Sequence, residues 1–248
     1  MKTFYFTATG NSLAAAKRIG GELISIAKAD EKVYRDDAIG IVFPTYGFSV
    51  PKVVRRFLAE TTLETDYLFA VATYGSTGGA VTRDVRRLLD FDYVNSILTV
   101  DNFLPIFDTA KQKAKLPSKN TAERIERVAE DIRNRKRFVP ECGIGGKFLT
   151  AVCSKINIEM PDFPRKFFRV EGCVRCGICA KVCPVGNIEV KDAPVFSANC
   201  ACCLACAHAC PEKAIHVKGE RSAERWRNPE VSLEEIIRAN NQKERIRK

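Results

Sequence analysis

Apolar and polar positions along this chain come in blocks that repeat in kind. Residues 2–6 form a short apolar, aromatic run, a hydroxyl-rich turn follows, and residues 13–19 are strong helix formers. Residues 38–43 are a continuous apolar run suited to a strand buried on both faces. That run ends in Pro44, Thr45, Tyr46, Gly47, Phe48, Ser49 and Val50, and Pro51 then stands where proline favours a first helical turn. Residues 67–72 are apolar again, residues 73–79 form a Gly-rich loop, and residues 80–89 read as helical. A further strand is expected over 94–100. Asn120 with Glu123 reads as a capping box ahead of Ile125, Val128, Ala129 and Ile132, an apolar stripe of helical period. Strands alternating with helices over about 140 residues predict an α/β domain on a doubly wound parallel sheet. Its ligand loops belong at the carboxyl edge of the strands, at the topological switch point.

The first loop has the chemistry of an anion site. Thr7, Thr9 and Ser12 carry hydroxyl donors, Gly10 permits a tight turn, and the amides at a helix start are unpaired. The loop resembles the phosphate loop of flavodoxins, which cradles the phosphate of FMN without a lysine, and is one residue shorter than the commonest form. A dinucleotide fingerprint of the G-x-G-x-x-G type is absent. The resemblance implies FMN, with Thr7, Thr9, Gly10, Asn11 and Ser12 on the phosphate side. Thr45, Tyr46, Gly47, Phe48, Thr73, Tyr74, Gly75 and Gly79 fall on the ring side. An isoalloxazine ring is a flat apolar plate with polar edges, so it needs aromatic faces and backbone amides beside it. The same aromatics could equally serve as lids on the core.

The second half carries different punctuation. Cys173, Cys176, Cys179 and Cys183 with Pro184, then Cys200, Cys203, Cys206 and Cys210 with Pro211, both read C-x-x-C-x-x-C-x-x-x-C-P. Each member of the second run lies 27 positions after its counterpart (200 minus 173). Such a triplet plus a distal Cys-Pro suits a cubane iron-sulfur cluster, whereas a structural zinc site uses two C-x-x-C pairs. The runs resemble two-cluster ferredoxins of the bacterial type, in which each distal Cys-Pro serves the other run's cluster. By that resemblance Cys173, Cys176, Cys179 and Cys210 hold one [4Fe-4S] cluster, and Cys200, Cys203, Cys206 and Cys183 hold the other. Cys202 fails the spacing test, because Ala205 stands three positions on, and reads as a small packed side chain. Cys142 and Cys153 read the same way, and His208 and His216 as surface or packing residues.

Composition narrows the class. Hydrophobic content of 46% with 28% charge is that of a water-soluble globular chain. No secretory signal opens the sequence and no apolar stretch approaches a membrane span. Eleven cysteines then point to metal in a reducing, cytoplasmic setting. The net charge of +10 counts the ligand thiols as neutral. Two oxidised clusters at about −2 each and a flavin phosphate at about −2 would leave about +4, which removes most support for a nucleic-acid partner. Basicity concentrates in residues 111–137, a solvated helix face or a docking surface for an acidic redox partner.

Taken together, the two halves resemble the flavodoxin-ferredoxin fusion family of anaerobic bacteria and archaea. The resemblance implies a five-stranded flavodoxin-like domain over residues 1–140 and a small α+β two-cluster ferredoxin domain over 171–219. Residues 141–170, rich in Gly, Pro and Phe, form a connector expected to pack between flavin and clusters. Residues 220–248 form a charged tail, with Trp226 and a helix expected over 232–245, that either clasps the first domain or stays in solvent. The leading expectation is an electron-transfer oxidoreductase, with a ferredoxin-like redox partner and a small-molecule acceptor at the flavin. A pure carrier without a substrate site, and a ferredoxin with a vestigial flavin domain, are the alternatives. No catalytic residue is identifiable from the sequence.

Overall fold

The computed structural model describes residues 1–141 and 160–242. In the first unit the elements run β1 (Lys2–Tyr5), α1 (Asn11–Ile19), β2 (Glu22–Ser25), β3 (Val33–Arg35), β4 (Ile39–Pro44) and α2 (Lys52–Glu60). There follow β5 (Thr62–Glu64), β6 (Leu68–Tyr74), α3 (Val81–Arg86), β7 (Tyr93–Leu98), α4 (Thr109–Ala114) and α5 (Thr121–Arg133). Five of these strands make one parallel sheet in the order β2-β1-β4-β6-β7. Setting aside the short parallel pair β3–β5, this is the 2-1-3-4-5 order of flavodoxin-like folds. Successive side chains on β1 go to opposite faces: Tyr5 meets α1 and α5, while Phe4 and Phe6 meet α2 and α3. Ile39, Ile41, Val42 and Phe43 on β4 are fully buried, as a strand covered on both faces requires.

Three local expectations change. Pro51 caps α2 from outside, and the helix begins at Lys52. The Asn120–Glu123 capping box does not form. A 3-10 turn at Pro117–Lys119 feeds Asn120 into the left-handed region (φ 48°), its side chain caps nothing, and Glu123 pairs with Arg127 instead. The edge strand β2 is half-exposed and carries no long apolar run, so it escaped the pattern that revealed its neighbours.

The second unit contains α6 (Phe163–Phe167), β8 (Phe168–Val170), α7 (Ile178–Lys181), β9 (Ile188–Val190), β10 (Pro194–Phe196), α8 (Ala205–Ala209) and β11 (Ile215–Val217). Antiparallel pairs β8–β11 and β9–β10 frame a core of Phe163, Ile188, Leu204, Ile215, Val217 and the buried cysteines. The described end of the connector therefore belongs to this unit: Phe163 stacks on Phe167, meets Phe168 edge-on and reaches Phe103 of the first unit. The small unit also touches the flavodoxin-like one, with Val182, Cys203 and Ala205 packed in the same cluster as Ala15 and Val42. Cys142, Phe148 and Cys153 lie outside the described residues.

The tail clasps the first unit. Its helix α9 (Leu233–Asn240) starts with a complete capping box between Ser232 and Glu235. Lys17 pairs with Glu235 and Arg18 with Glu230, while Trp226, Val231 and Ile236 are buried. Among the described residues no helix is long and apolar enough to cross a membrane.

Candidate functional site

Four loops at the carboxyl edge of the sheet surround one cavity. Thr7, Thr9, Asn11 and Ser12 line it from the loop after β1, and Thr45, Tyr46, Gly47 and Phe48 from the loop after β4. Thr73, Tyr74 and Gly75 line it from the end of β6. Gly10 and Gly79, assigned to the same set from sequence, lie outside the lining. Gly10 faces the tail: it has φ +95°, and a Cβ there would stand 3.0 Å from Asn228 and Val231. Its glycine serves the clasp and the turn together.

The first loop is heavily bonded. Thr7 Oγ1 accepts from Gly10 N at 3.2 Å, and the hydroxyls of Ser12 and Thr73 lie 2.9 Å apart. Tyr46 and Ser49 exchange backbone bonds around Gly47 and Phe48, both at positive φ, as in the mirror-image hairpin turns. Asp84 on α3 anchors this turn, accepting from Ser49, Val50 N and Arg55. Burial opposes the charge on Asp84, but those bonds outweigh it and hold the carboxyl below its ordinary range. Thr45 Oγ1 is buried in the cavity wall with no hydrogen-bond partner among the described residues.

The remaining wall was not legible from sequence. After β7 come Thr99, Val100, Asp101, Asn102, Phe103, Ile106 and Phe107, and from the second unit come Cys202, Cys203 and Leu204. A ring of hydrogen bonds locks these pieces together. Asn102 Nδ2 donates to Thr9 Oγ1 (2.6 Å), and Asn102 O faces His208 Nε2 (2.7 Å). Trp226 N donates to His208 Nδ1 (3.0 Å), and Trp226 Nε1 donates to Asn11 Oδ1 (3.0 Å). Because Nδ1 accepts, the neutral imidazole carries its proton on Nε2 and donates to Asn102. Burial pushes that histidine down to about 4. Lys119, from the stretch read as a basic surface, is instead buried and donates to Gly75 O and Thr99 O, both at 2.5 Å.

The cysteines gather in two sets. Cys173, Cys176, Cys179 and Cys210 line one small cavity, from which Cys183 is absent. Burial pushes the Cys179 thiol up to about 11, and Cys173, Cys176 and Cys210 add to it. Cys206 is raised by burial first and then by Cys203, Cys183, Cys200 and Cys179. The first set is thus the one in which Cys210, and not Cys183, joins the Cys173 run. Backbone amides point at cysteine sulfurs in matching pairs: Arg175 N to Cys173 and Cys202 N to Cys200, Asn187 N to Cys183 and Ala214 N to Cys210. The partners in each pair are again 27 positions apart. Cys202 is buried, and its thiol donates to Met160 O at 3.1 Å.

Residues 168–189 match the family of 4Fe-4S binding domains. The chain joins a flavodoxin-like α/β domain to a ferredoxin-type 4Fe-4S domain. No curated protein matches the sequence. Among solved structures, the chain is similar to a candidate flavoprotein from Bacteroides uniformis, at 17% identity and TM-score 0.32, over 39% of this chain and 88% of that one. A candidate flavoprotein from Bacteroides eggerthii shares 18% identity at TM-score 0.33, over 48% and 96%. The rubredoxin oxygen:oxidoreductase of Desulfovibrio gigas shares 14% identity at TM-score 0.28, over 52% of this chain and 35% of its own.

Proposed function

We propose that the chain is an electron-transfer oxidoreductase that relays electrons through two [4Fe-4S] clusters to FMN and on to an acceptor. The observation that carries this reading is the shared wall: residues of the hydroxyl-rich loop and Cys203, a ligand of one cluster set, line the same cavity. The other set faces outward, with Cys176 exposed and Val174 59% exposed. A ferredoxin-like partner protein then delivers electrons at the Cys173 side, and they cross to the Cys200 side before reaching the flavin cavity.

The residues fit the groups. Eight thiols divide into two sets of four, as two cubanes need. Thr7, Thr9 and Ser12 offer hydroxyls beside the start of α1 for a phosphate, Tyr46, Phe48 and Tyr74 offer aromatic faces, and the orphan Thr45 hydroxyl offers a bond to a polar ring edge. Bound FMN would supply the exchange between one-electron and two-electron traffic. The protein holds the loops, excludes water with aromatic side chains and places a cluster ligand at the wall. A small-molecule acceptor would enter the same cavity, whose lining includes the exposed Ile106.

Anaerobic reconstitution with iron, sulfide and FMN tests this. The expected yield is about eight irons, about eight labile sulfides and about one FMN per chain. About four irons would reduce the reading to one cluster, and the absence of a yellow flavin spectrum would remove its flavin half.

A further inference from the structure

One carboxyl in the cavity has no part in the relay described above. Asp101 follows β7 and is the sole carboxyl among the described residues lining the cavity. It is half-buried and accepts a bond from the Ser76 hydroxyl. Its carboxyl presses on Gly75, where a Cβ would stand 2.1 Å away, so glycine at that position is what leaves the carboxyl room. Lys119 lies beneath, but its ammonium donates to Gly75 O, Thr99 O and Gln112 Oε1. Among the described residues Asp101 makes no ion pair. Lys119 and the exposed Lys115 are the charged groups that act on it, and burial, the largest influence, raises its carboxyl above the ordinary range.

We propose that Asp101 supplies the flavin cavity with the proton that accompanies each electron from the clusters. This rests on the flavin reading above. An electron entering a cavity walled by aromatic side chains is an uncompensated charge, costly in a low dielectric. The balanced step brings in one electron from a reduced cluster. With a flavin bound there, the carboxyl O–H of Asp101 would break and its proton would go to the ring, balancing the electron. The carboxylate left behind faces the Ser76 hydroxyl and the charges of Lys119 and Lys115, and solvent then returns the proton. Thr and Ser hydroxyls in the wall are far too weak as acids for this, and the cluster thiolates carry no proton. A carboxyl is a stronger acid than any hydroxyl in the wall, and this one faces the cavity directly.

The test is a redox titration of the flavin in the reconstituted holoprotein from about pH 5 to about pH 9, spanning carboxyl and imidazole ionisation. In the wild type, a plot of flavin midpoint against pH bends where Asp101 ionises. Asp101→Asn loses that bend, and its flavin is reduced by the clusters about a hundredfold more slowly or worse, as expected when a general acid is removed. Asp101→Glu restores both. Ser76→Ala, which removes the bond favouring the carboxylate, moves the bend to higher pH. Flavin that binds with the same pH curve in wild type, Asp101→Asn and Ser76→Ala overturns the assignment of Asp101 alone. No flavin in the wild-type holoprotein overturns this inference together with the reading it rests on.

Discussion

The two halves of the cysteine repeat share a backbone and differ in what they face. Positive φ recurs at Arg175 and Cys202, at Gly177 and Leu204, and at Gly186 and Lys213, each pair separated by the repeat interval. Side chains at equivalent places diverge. Val174 is 59% exposed and its counterpart Ala201 is buried; Arg175 is exposed and Cys202 is buried; Gly177 has open space around it and Leu204 fills the cavity wall. Leu204 holds a left-handed backbone that glycine adopts without strain, a cost of about 1–2 kcal/mol, against about 1.5–3 kcal/mol from burying its side chain. Cysteine spacing is therefore common to both halves, and the residues between the cysteines decide which half lines the cavity.

Removing one ligand from each half is the strongest way to break that distinction. Cys183→Ala and Cys210→Ala should each leave about four irons from about eight. Cys183→Ala should lose the cavity-side cluster held by Cys200, Cys203 and Cys206, and with it flavin reduction by the remaining cluster. Iron analysis with electron paramagnetic resonance and anaerobic photoreduction reads the outcome; loss of the Cys173-side cluster in Cys183→Ala would overturn the crossed sets.

Next in size is the attachment of the inward half. Trp226→Ala removes a buried indole from the hydrogen-bonded ring and should cost about 3–5 kcal/mol in denaturant unfolding. Val195→Ala on the outward hairpin, where the side chain is 48% exposed, should stay within about 0.5 kcal/mol. Comparable losses for the two would mean that the tail does not hold the halves in their different settings. A subtler comparison exchanges the residues that differ. Leu204→Gly should cost about 1–3 kcal/mol, the lost burial exceeding the relieved strain, while Gly177→Leu, which meets nothing within 4 Å, should cost about 1–2 kcal/mol of strain alone. Only Leu204→Gly should alter flavin affinity, measured by fluorescence titration. The most local effect lies in the loop that the inward half covers. Thr9→Ala or Ser12→Ala should weaken FMN about tenfold or more and riboflavin less, because a hydrogen bond to a charged phosphate is worth about 1.5–3 kcal/mol. Equal losses for both ligands would place the phosphate elsewhere.

What was legible in the sequence was whatever leaves a local trace. Residues 38–43 and 67–72 announce central strands because a strand covered on both faces is apolar at every position. The hydroxyls at Thr7, Thr9 and Ser12, and the cysteine spacing, are likewise short-range signals. Asp101, Asn102 and Phe103 left none, since nothing in their composition distinguishes a cavity wall from an ordinary loop; the rule that ligand loops follow parallel strands would have pointed to the end of β7. Trp226 finds Asn11 at a separation of 215 positions, and no window of sequence contains both. The Asn120–Glu123 motif misled for the converse reason. Its residue types were right, but the turn at Pro117–Lys119 set a backbone conformation that the motif cannot use.

The clasp also fixes an order of assembly during synthesis. A ribosome makes the hydroxyl-rich loop near the start of the chain, and that part of the fold can pack as it emerges. Asn11 nevertheless waits for Trp226 and Asn228, and Thr7 O waits for the Asn240 side chain 233 positions later. Both cysteine runs are translated in that interval. Contacts of such long sequence separation close slowly, so the loop acquires its last partners after both sets of cluster ligands exist. A nascent chain released before residue 226 carries the cysteines and the sheet but has no completed ring around its cavity.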